Sequence, residues 1–243
     1  MKIKLITTAW IGLLSTFSVL ATPVSDTKQG ISSAEPVTGI QLGQTRVVIE
    51  PGKQASQFTI NNHADRPFVI SAFVLDQNNN SSRAFAVDPS IFQLPAREKV
   101  SIKVLQLEKL PDDKESFFWL QVNSVVARSE DSKEESGALK LALGQKIKLF
   151  YRPKGLDGDA QYAAENLVWQ WKNGYLTAVN PTKLWVSMSS ITINGKKHNI
   201  SDMIQPSGTF KFKTPKLTDF ENDEFAYINE YGGEVTLPFN LVK

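Results

Sequence analysis

The sequence predicts an all-β protein built as two tandem immunoglobulin-like β-sandwich domains. Three observations predict this class. Apolar residues alternate with polar ones in short runs, which is the period of half-buried strands. Turn-forming Asn, Asp, Gly and Pro separate these runs. The chain has 243 residues, of which 41% are hydrophobic and 21% charged, so it is long enough for two small globular domains.

Residues 1–21 are expected to form a secretory signal peptide. Lys2 and Lys4 precede an apolar run that ends at Leu20, and Ala21 supplies the small residue expected at the cleavage site. A membrane anchor is the rival interpretation, but the run is short and interrupted by Thr, Ser and Gly. No later segment reaches the ~18 apolar residues that a spanning helix needs. The sequence therefore predicts an exported protein without membrane insertion.

The first sandwich is expected over residues 39–155. Residues 22–38 before it are polar and lack periodicity, which predicts a flexible N-terminal extension. About seven strand-like runs follow, as an immunoglobulin-like domain requires. They lie at residues 40–42, 47–49, 58–60, 68–74, 100–104, 118–122 and 139–151.

The second sandwich is expected over residues 156–243. Pro, Gly and Asp between Pro153 and Ala160 interrupt the strand pattern and mark the boundary. Asn173-Gly174 and Asn194-Gly195 each predict a two-residue hairpin turn between neighbouring strands. Residues 162–166 could form a single helical turn, and helix is otherwise nearly absent from the prediction.

Composition and charge argue against several classes of function. The chain has no cysteine, which excludes disulfides, thiol nucleophiles and thiolate metal sites. His63 and His198 are the only histidines, and both lie in turn-like contexts, so we expect surface histidines and no metal site. Without residues 1–21 the chain carries 25 basic and 25 acidic side chains, which argues against a nucleic-acid partner. No catalytic constellation or phosphate-binding loop is evident, so neither an enzyme nor a cofactor is predicted.

The stretch from residue 138 to 153, ALKLALGQKIKLFYRP, is the most informative part of the sequence. Most of its apolar side chains share one parity of a strand, and all three of its lysines share the other. The first set is Leu139, Leu141, Leu143, Ile147, Leu149 and Tyr151, and the second includes Lys140, Lys146 and Lys148. The pattern alone favours an ordinary half-buried strand. A polar loop precedes it, however, so the strand could also offer its edge and leucines to a partner.

Two spaced motifs stand out, IKLFYRP at residues 147–153 and LPDDKESFFWL at residues 110–120. The first resembles the signature at the end of the first domain in the PapD-like family, the periplasmic chaperones of the chaperone/usher pilus pathway, and the second resembles another signature of that family. Weaker matches lie at residues 44–48, 88–95, 179–182 and 229–233. The resemblance extends over nearly all of the chain after the signal peptide. It implies two sandwich domains in an L or boomerang arrangement, in the periplasm.

The resemblance also implies partners and site residues. Family chaperones bind pilus (fimbrial) subunits by donating a strand, and deliver them to an outer-membrane usher; the free chaperone could also self-associate. The donated residues would be Leu139, Leu141 and Leu143. Arg46 and Lys148 would bind the subunit's terminal carboxylate, and we expect neither cation to be buried before the subunit arrives. Glu115, Arg152 and Glu230 would form ion pairs between the domains, although the family more often has Asp at the position of Glu230.

Two other classes of function remain as alternatives. An exported adhesin or carbohydrate-binding module could use Trp169 and Trp171, which share a strand face, as a platform for sugar stacking. Packing of both rings in a core explains the same pattern more simply. An exported hydrolase is disfavoured because only two histidines are present.

Overall fold

The computed structural model describes residues 39–127, 142–214 and 223–241, which form sixteen strands and one short helix. The expected signal peptide, the N-terminal extension, Leu139 and Leu141 lie outside the described residues. The first nine strands are β1 (Ile40–Leu42), β2 (Arg46–Ile49), β3 (Ala55–Asn62), β4 (Phe68–Leu75), β5 (Phe85–Asp88), β6 (Ile91–Leu94), β7 (Lys99–Gln106), β8 (Ser116–Val126) and β9 (Ala142–Tyr151).

These nine strands form the first sandwich. One sheet has the order β1-β3-β7-β5 and the other has the order β2-β9-β8-β4-β6. Apolar residues at alternate positions of each strand face the opposite sheet and exclude water from the space between the sheets. The resulting core includes Ile49, Phe58, Ile70, Ile102, Leu120 and Leu149.

The structure has two more strands in this sandwich than the sequence predicts. β5 and β6 are four residues each and lie on either side of Pro89. Runs this short show too few alternating positions to be distinguished from a loop, and a nearby proline favours a loop interpretation. Both strands pair along the sheet edges, β5 with β7 and β6 with β4.

The second sandwich follows a helix, α1 (Ala160–Glu165), whose N-terminus is capped by Asp159. Its strands are β10 (Val168–Lys172), β11 (Tyr175–Val179), β12 (Val186–Ile193), β13 (Lys196–Ile204), β14 (Thr209–Lys213), β15 (Glu224–Ile228) and β16 (Glu234–Pro238). They form sheets of order β10-β11-β14 and β13-β12-β15-β16. Among the described residues, no helix is long and apolar enough to cross a membrane.

The local predictions for this half are confirmed. Asn173 and Gly174 both have positive φ, 54° and 78°, and connect β10 to β11. Asn194 and Gly195, with φ of 52° and 74°, connect β12 to β13 in the same way. Paired positive φ values give the turn twist that matches antiparallel strands. The predicted helical turn is present as α1, and the all-β tandem-sandwich class is confirmed.

Candidate functional site

Strand β9 is paired on both sides along only part of its length. It pairs antiparallel with β8 from Ala142 to Tyr151, and parallel with β2 only from Lys148 to Tyr151. Within the ranges that the structure describes, no strand pairs with the other side of residues 142–147. This open edge has backbone N–H and C=O groups available to a further strand.

Along β9, the side chains that share the parity of Leu149 become progressively more exposed toward Ala142. Leu149 is fully buried, and Ile147 is partly buried against the same core. Gln145 lies at the margin, where its Nε2 donates a hydrogen bond to the carbonyl oxygen of Ile40 at 2.8 Å. Leu143 is 54% exposed. Leu143, the one described residue of the three expected donated leucines, therefore lies where β9 separates from its own sandwich.

Two cations lie at the end of the open edge. Arg46 is the first residue of β2, and it is directly opposite Lys148 in the parallel pairing with β9. Opposite residues in paired strands point to the same face, so both side chains share one face of the five-stranded sheet. The guanidinium carbon of Arg46 lies 5.4 Å from the centroid of the Phe150 ring.

The expectation that neither cation is buried is wrong for Arg46. This residue is only 7% exposed, and its Nε is buried without a hydrogen-bond partner. Phe150 covers part of the guanidinium group, and the sequence pattern of β2 could not reveal that contact. An unsatisfied buried N–H is unfavourable, so Arg46 has a donor that an incoming acceptor would satisfy.

Burial and charge repulsion both disfavour the charged forms of Arg46 and Lys148. Burial lowers the pKa of Lys148 to about 8, and the neighbouring charge of Arg46 acts in the same direction. Burial also lowers the pKa of Arg46, while Glu230 and Glu115 partly oppose that effect. A carboxylate placed between the cations would raise the pKa of both, because an opposite charge nearby favours the charged forms.

The structure brings Glu115, Arg152 and Glu230 together beside this pair. Arg152 donates from Nε and Nη2 to Glu115 Oε1, at 3.1 and 2.8 Å. The same Nη2 donates to Glu230 Oε1 at 2.8 Å. Glu115 and Arg152 are buried, and burial raises the pKa of Glu115 while Arg152 acts in the opposite direction. The three residues thus form a largely buried ion cluster that includes residues of both sandwiches.

Backbone contacts extend this connection between the sandwiches. Glu115 Oε2 accepts a hydrogen bond from the backbone N–H of Trp185 at 2.8 Å, and the indole Nε1 of Trp185 donates to the carbonyl oxygen of Glu115 at 3.1 Å. Glu230 Oε1 also accepts from the backbone N–H of Ala160 at 2.9 Å. The Trp185 ring packs 5.4 Å from that of Phe117. Sequence reasoning missed Trp185, which by pattern alone is only the start of a strand.

Family models match both halves of this arrangement. Residues 39–157 match the model described as "Pili and flagellar-assembly chaperone, PapD N-terminal domain". Residues 162–239 match "Pili assembly chaperone PapD, C-terminal domain". The chain belongs to the PapD-like family of pilus-assembly chaperones.

Relatives of this PapD-like chain agree with the family models. Chaperone protein caf1M of Yersinia pestis is 29% identical over 236 residues, which cover 90% of this chain and 91% of the relative. The probable fimbrial chaperone protein ElfD of Escherichia coli O157:H7 is 30% identical over 81% of this chain and 84% of the relative. A solved structure of Salmonella enterica SafA pilin in complex with the SafB chaperone matches with 25% identity and a TM-score of 0.70, covering 85% of this chain and 97% of the matched one.

The residues proposed for other functions lie elsewhere. Trp169 is fully buried against Phe225 and Phe239, so a sugar could not stack on its ring. His63 Nε2 lies 2.8 Å from Gln41 Oε1, as a satisfied side chain would. In the part of the chain that the structure describes, no group of three or more His, Asp or Glu is placed to hold a metal ion.

Proposed function

We propose that this PapD-like chain is a periplasmic chaperone that binds and caps pilus subunits by donor-strand complementation. The observation that carries the proposal is the open edge of β9, which ends at the Arg46–Lys148 pair. The complex of a pilin with the SafB chaperone among the matched structures supports a pilus subunit as the partner. Membership of a chaperone family supports a non-enzymatic role.

The proposed carboxylate site implies a direction for the added strand. A subunit strand can occupy the edge of residues 142–147 only up to the point where β2 begins at Arg46. If its terminal carboxylate is bound by Arg46 and Lys148, the strand must run from residue 142 toward residue 147. The subunit strand would therefore be parallel to β9.

The donated side chains would enter pockets of the subunit groove and add to the affinity. Leu143 is exposed in the free protein, and Leu139 and Leu141 share its parity in the sequence. Full burial of each leucine in a subunit groove would contribute roughly 1.5–3 kcal/mol. Backbone hydrogen bonds along the open edge would supply affinity, and the Arg46–Lys148 pair would fix the register of the strand.

The carboxylate would complete the charge balance of the site. Arg46, Lys148 and Arg152 are three cations, whereas Glu115 and Glu230 are two anions. A terminal carboxylate would neutralise the excess cation and accept charge-assisted hydrogen bonds from Arg46 and Lys148. Glu115, Arg152 and Glu230 would hold the two sandwiches together around this site.

The remaining parts of the proposal follow the family. We propose delivery of subunits to an outer-membrane usher, removal of residues 1–21 on export, and domains at residues 39–155 and 156–243. Lys2 and Lys4, followed by the apolar run that ends at Leu20, support export. The exposed Leu143 supports self-association as a way for the free chaperone to cover its donor strand.

The test uses co-expression with each candidate subunit encoded beside the gene for this chain. Leu143→Glu would place a charge in an apolar groove, and Lys148→Ala would remove one carboxylate ligand. We expect Leu143→Glu to abolish the soluble complex. Lys148→Ala should weaken it by roughly ten- to a hundredfold, the loss expected for a charge-assisted bond to a shielded partner.

Matched controls separate this function from general effects on the protein. Val179→Glu places the same charge at an exposed apolar strand residue of the second sandwich, and Lys197→Ala removes an exposed lysine. Both controls should bind as the wild type does. Normal recovery of complex with Leu143→Glu and Lys148→Ala would contradict the proposal, as would unfolding of the free Leu143→Glu variant.

A further inference from the structure

The turn between β15 and β16 has a defined shape of its own. Asn229 Oδ1 accepts hydrogen bonds from the backbone N–H groups of Tyr231 and Gly233, at 3.0 and 2.9 Å. The backbone N–H of Asn229 also donates to the carbonyl oxygen of Gly233 at 2.9 Å. An asparagine that bonds to the backbone two residues ahead stabilises a compact turn. The backbone at Tyr231 is therefore held in place.

Both neighbours of Tyr231 contact the first sandwich or its ion cluster. On one side, Glu230 accepts hydrogen bonds from Arg152 and from the backbone of Ala160. On the other side, Gly232 has a φ of 83°, and a Cβ at this position would clash with Thr45 Oγ1. Only glycine permits both this conformation and this approach. Because Thr45 precedes Arg46, the turn lies directly beside the cation pair.

The side chain of Tyr231, by contrast, is almost fully exposed. Tyr231 is 95% exposed, whereas Tyr162 and Tyr175, the other exposed tyrosines, are 50% and 43% exposed. Among the described residues, no ring contact or side-chain hydrogen bond of Tyr231 is present. A tyrosine ring offers a large apolar surface with few rotatable bonds, so its burial by a partner loses little conformational entropy. A fixed backbone that carries an uncovered ring is suited to recognition.

We propose that Tyr231 packs on the pilus subunit next to its terminal carboxylate. This inference rests on the proposed function, because the partner is the chain that reaches Arg46 and Lys148. Two features favour the subunit over a second copy of this chain as the occupant. The turn touches Thr45 beside the cation pair, and the excess positive charge there favours a chain that ends in a carboxylate. Tyr231 would then help to position the last residues of the subunit.

Substitutions at Tyr231 test the contact. Tyr231→Ala should weaken subunit binding by roughly fivefold or more, as truncation of a contacting aromatic residue does. Tyr231→Phe keeps the ring and should bind almost as the wild type does. Tyr175→Ala, at an exposed tyrosine of β11, is the matched control and should bind normally. Because the Tyr231 side chain is almost fully exposed, the melting temperature of each free Tyr231 variant should be unchanged.

Photo-crosslinking tests which part of the subunit Tyr231 contacts. With p-benzoylphenylalanine in place of Tyr231, we expect an adduct in the last strand of the subunit, identified by mass spectrometry of the digested complex. An adduct confined to other parts of the subunit, to the usher or to a second chaperone would overturn the inference. Wild-type affinity of Tyr231→Ala would also overturn it, as would a lower melting temperature that accounts for the loss of binding.

Lys148→Ala in the same binding assay separates this inference from the proposed function. If Lys148→Ala binds weakly while Tyr231→Ala binds normally, the carboxylate site stands and the Tyr231 contact is wrong. If Lys148→Ala binds normally and Leu143→Glu still forms complex, the proposed function itself fails.

Discussion

The two halves of β9 share one strand and one alternating pattern but have different surroundings. From Lys148 to Tyr151 the strand has neighbours on both sides, and Leu149 and Phe150 are buried. From Ala142 to Gly144 it has β8 on one side, and all three residues are exposed. Alternation therefore reveals which side chains share a face, but not what covers that face.

The difference also suggests why one strand can perform both roles. The buried half is followed directly by Arg152, whose ion pairs hold the end of the strand near both sandwiches. The open half is held in register by β8 before any partner arrives. Preorganisation of this kind lowers the entropy lost on binding, because the strand does not have to order itself.

The largest expected effect comes from breaking the ion cluster at the buried end. Glu115→Ala removes the main partner of Arg152 and leaves a buried charge poorly compensated. We expect the free energy of unfolding to fall by about 3–5 kcal/mol. Urea denaturation of the free protein measures this loss. Lys197→Ala is the control, since its pair with Glu234 is half exposed and should contribute no more than about 1 kcal/mol. Equal losses in the two variants would contradict a special role for the cluster.

The next largest effect is expected from leucine-to-alanine substitutions, which compare the two halves of β9 directly. Leu149→Ala should lower the free energy of unfolding by about 2–5 kcal/mol, because it creates a cavity in the core. Leu143→Ala should change it by no more than about 0.5 kcal/mol, as surface substitutions do. Urea denaturation of both free variants provides the comparison. A large loss of stability in Leu143→Ala would assign Leu143 to the fold instead of to a partner.

Much of the fold could be predicted because it depends on local signals. The hairpins at Asn173-Gly174 and Asn194-Gly195 follow from residues that tolerate positive φ, and β9 follows from its alternation. β5 and β6 could not be predicted, because four residues give too little periodicity. Their formation depends on pairing with β7 and β4, which are distant in sequence.

The site could be predicted only in part, and for a related reason. Family resemblance alone predicts the cluster of Glu115, Arg152 and Glu230, since no local pattern connects residues so far apart in the sequence. The burial of Arg46 results from Phe150, on another strand. Trp185 contacts Glu115 across the two sandwiches, and a single sequence contains no signal for such a pair.

The last expected effects come from titration of Lys148, where β9 passes from its buried half to its open half. The pKa of Lys148 is about 8 in the folded protein, below the value of about 10.4 expected in the unfolded chain. Between these pH values the unfolded state binds more protons, so stability should rise with pH through this window. Lys148→Met lacks the titrating group. The difference in free energy of unfolding between wild type and Lys148→Met isolates the effect, and a difference that is constant from pH 7.5 to 10 would contradict it.

Subunit binding should respond to the same titration with the opposite sign. A carboxylate binds the charged form of Lys148. Deprotonation of the lysine therefore weakens the complex, although it stabilises the free protein. With a pKa of about 8, the charged fraction falls from about nine-tenths at pH 7 to about one-tenth at pH 9. Affinity should therefore fall about tenfold over this range, which corresponds to about 1.4 kcal/mol. Isothermal titration calorimetry at both pH values measures this change, and Lys148→Met should bind more weakly but without this pH dependence. If wild type and Lys148→Met showed the same pH dependence, Lys148 would not be a ligand of the carboxylate.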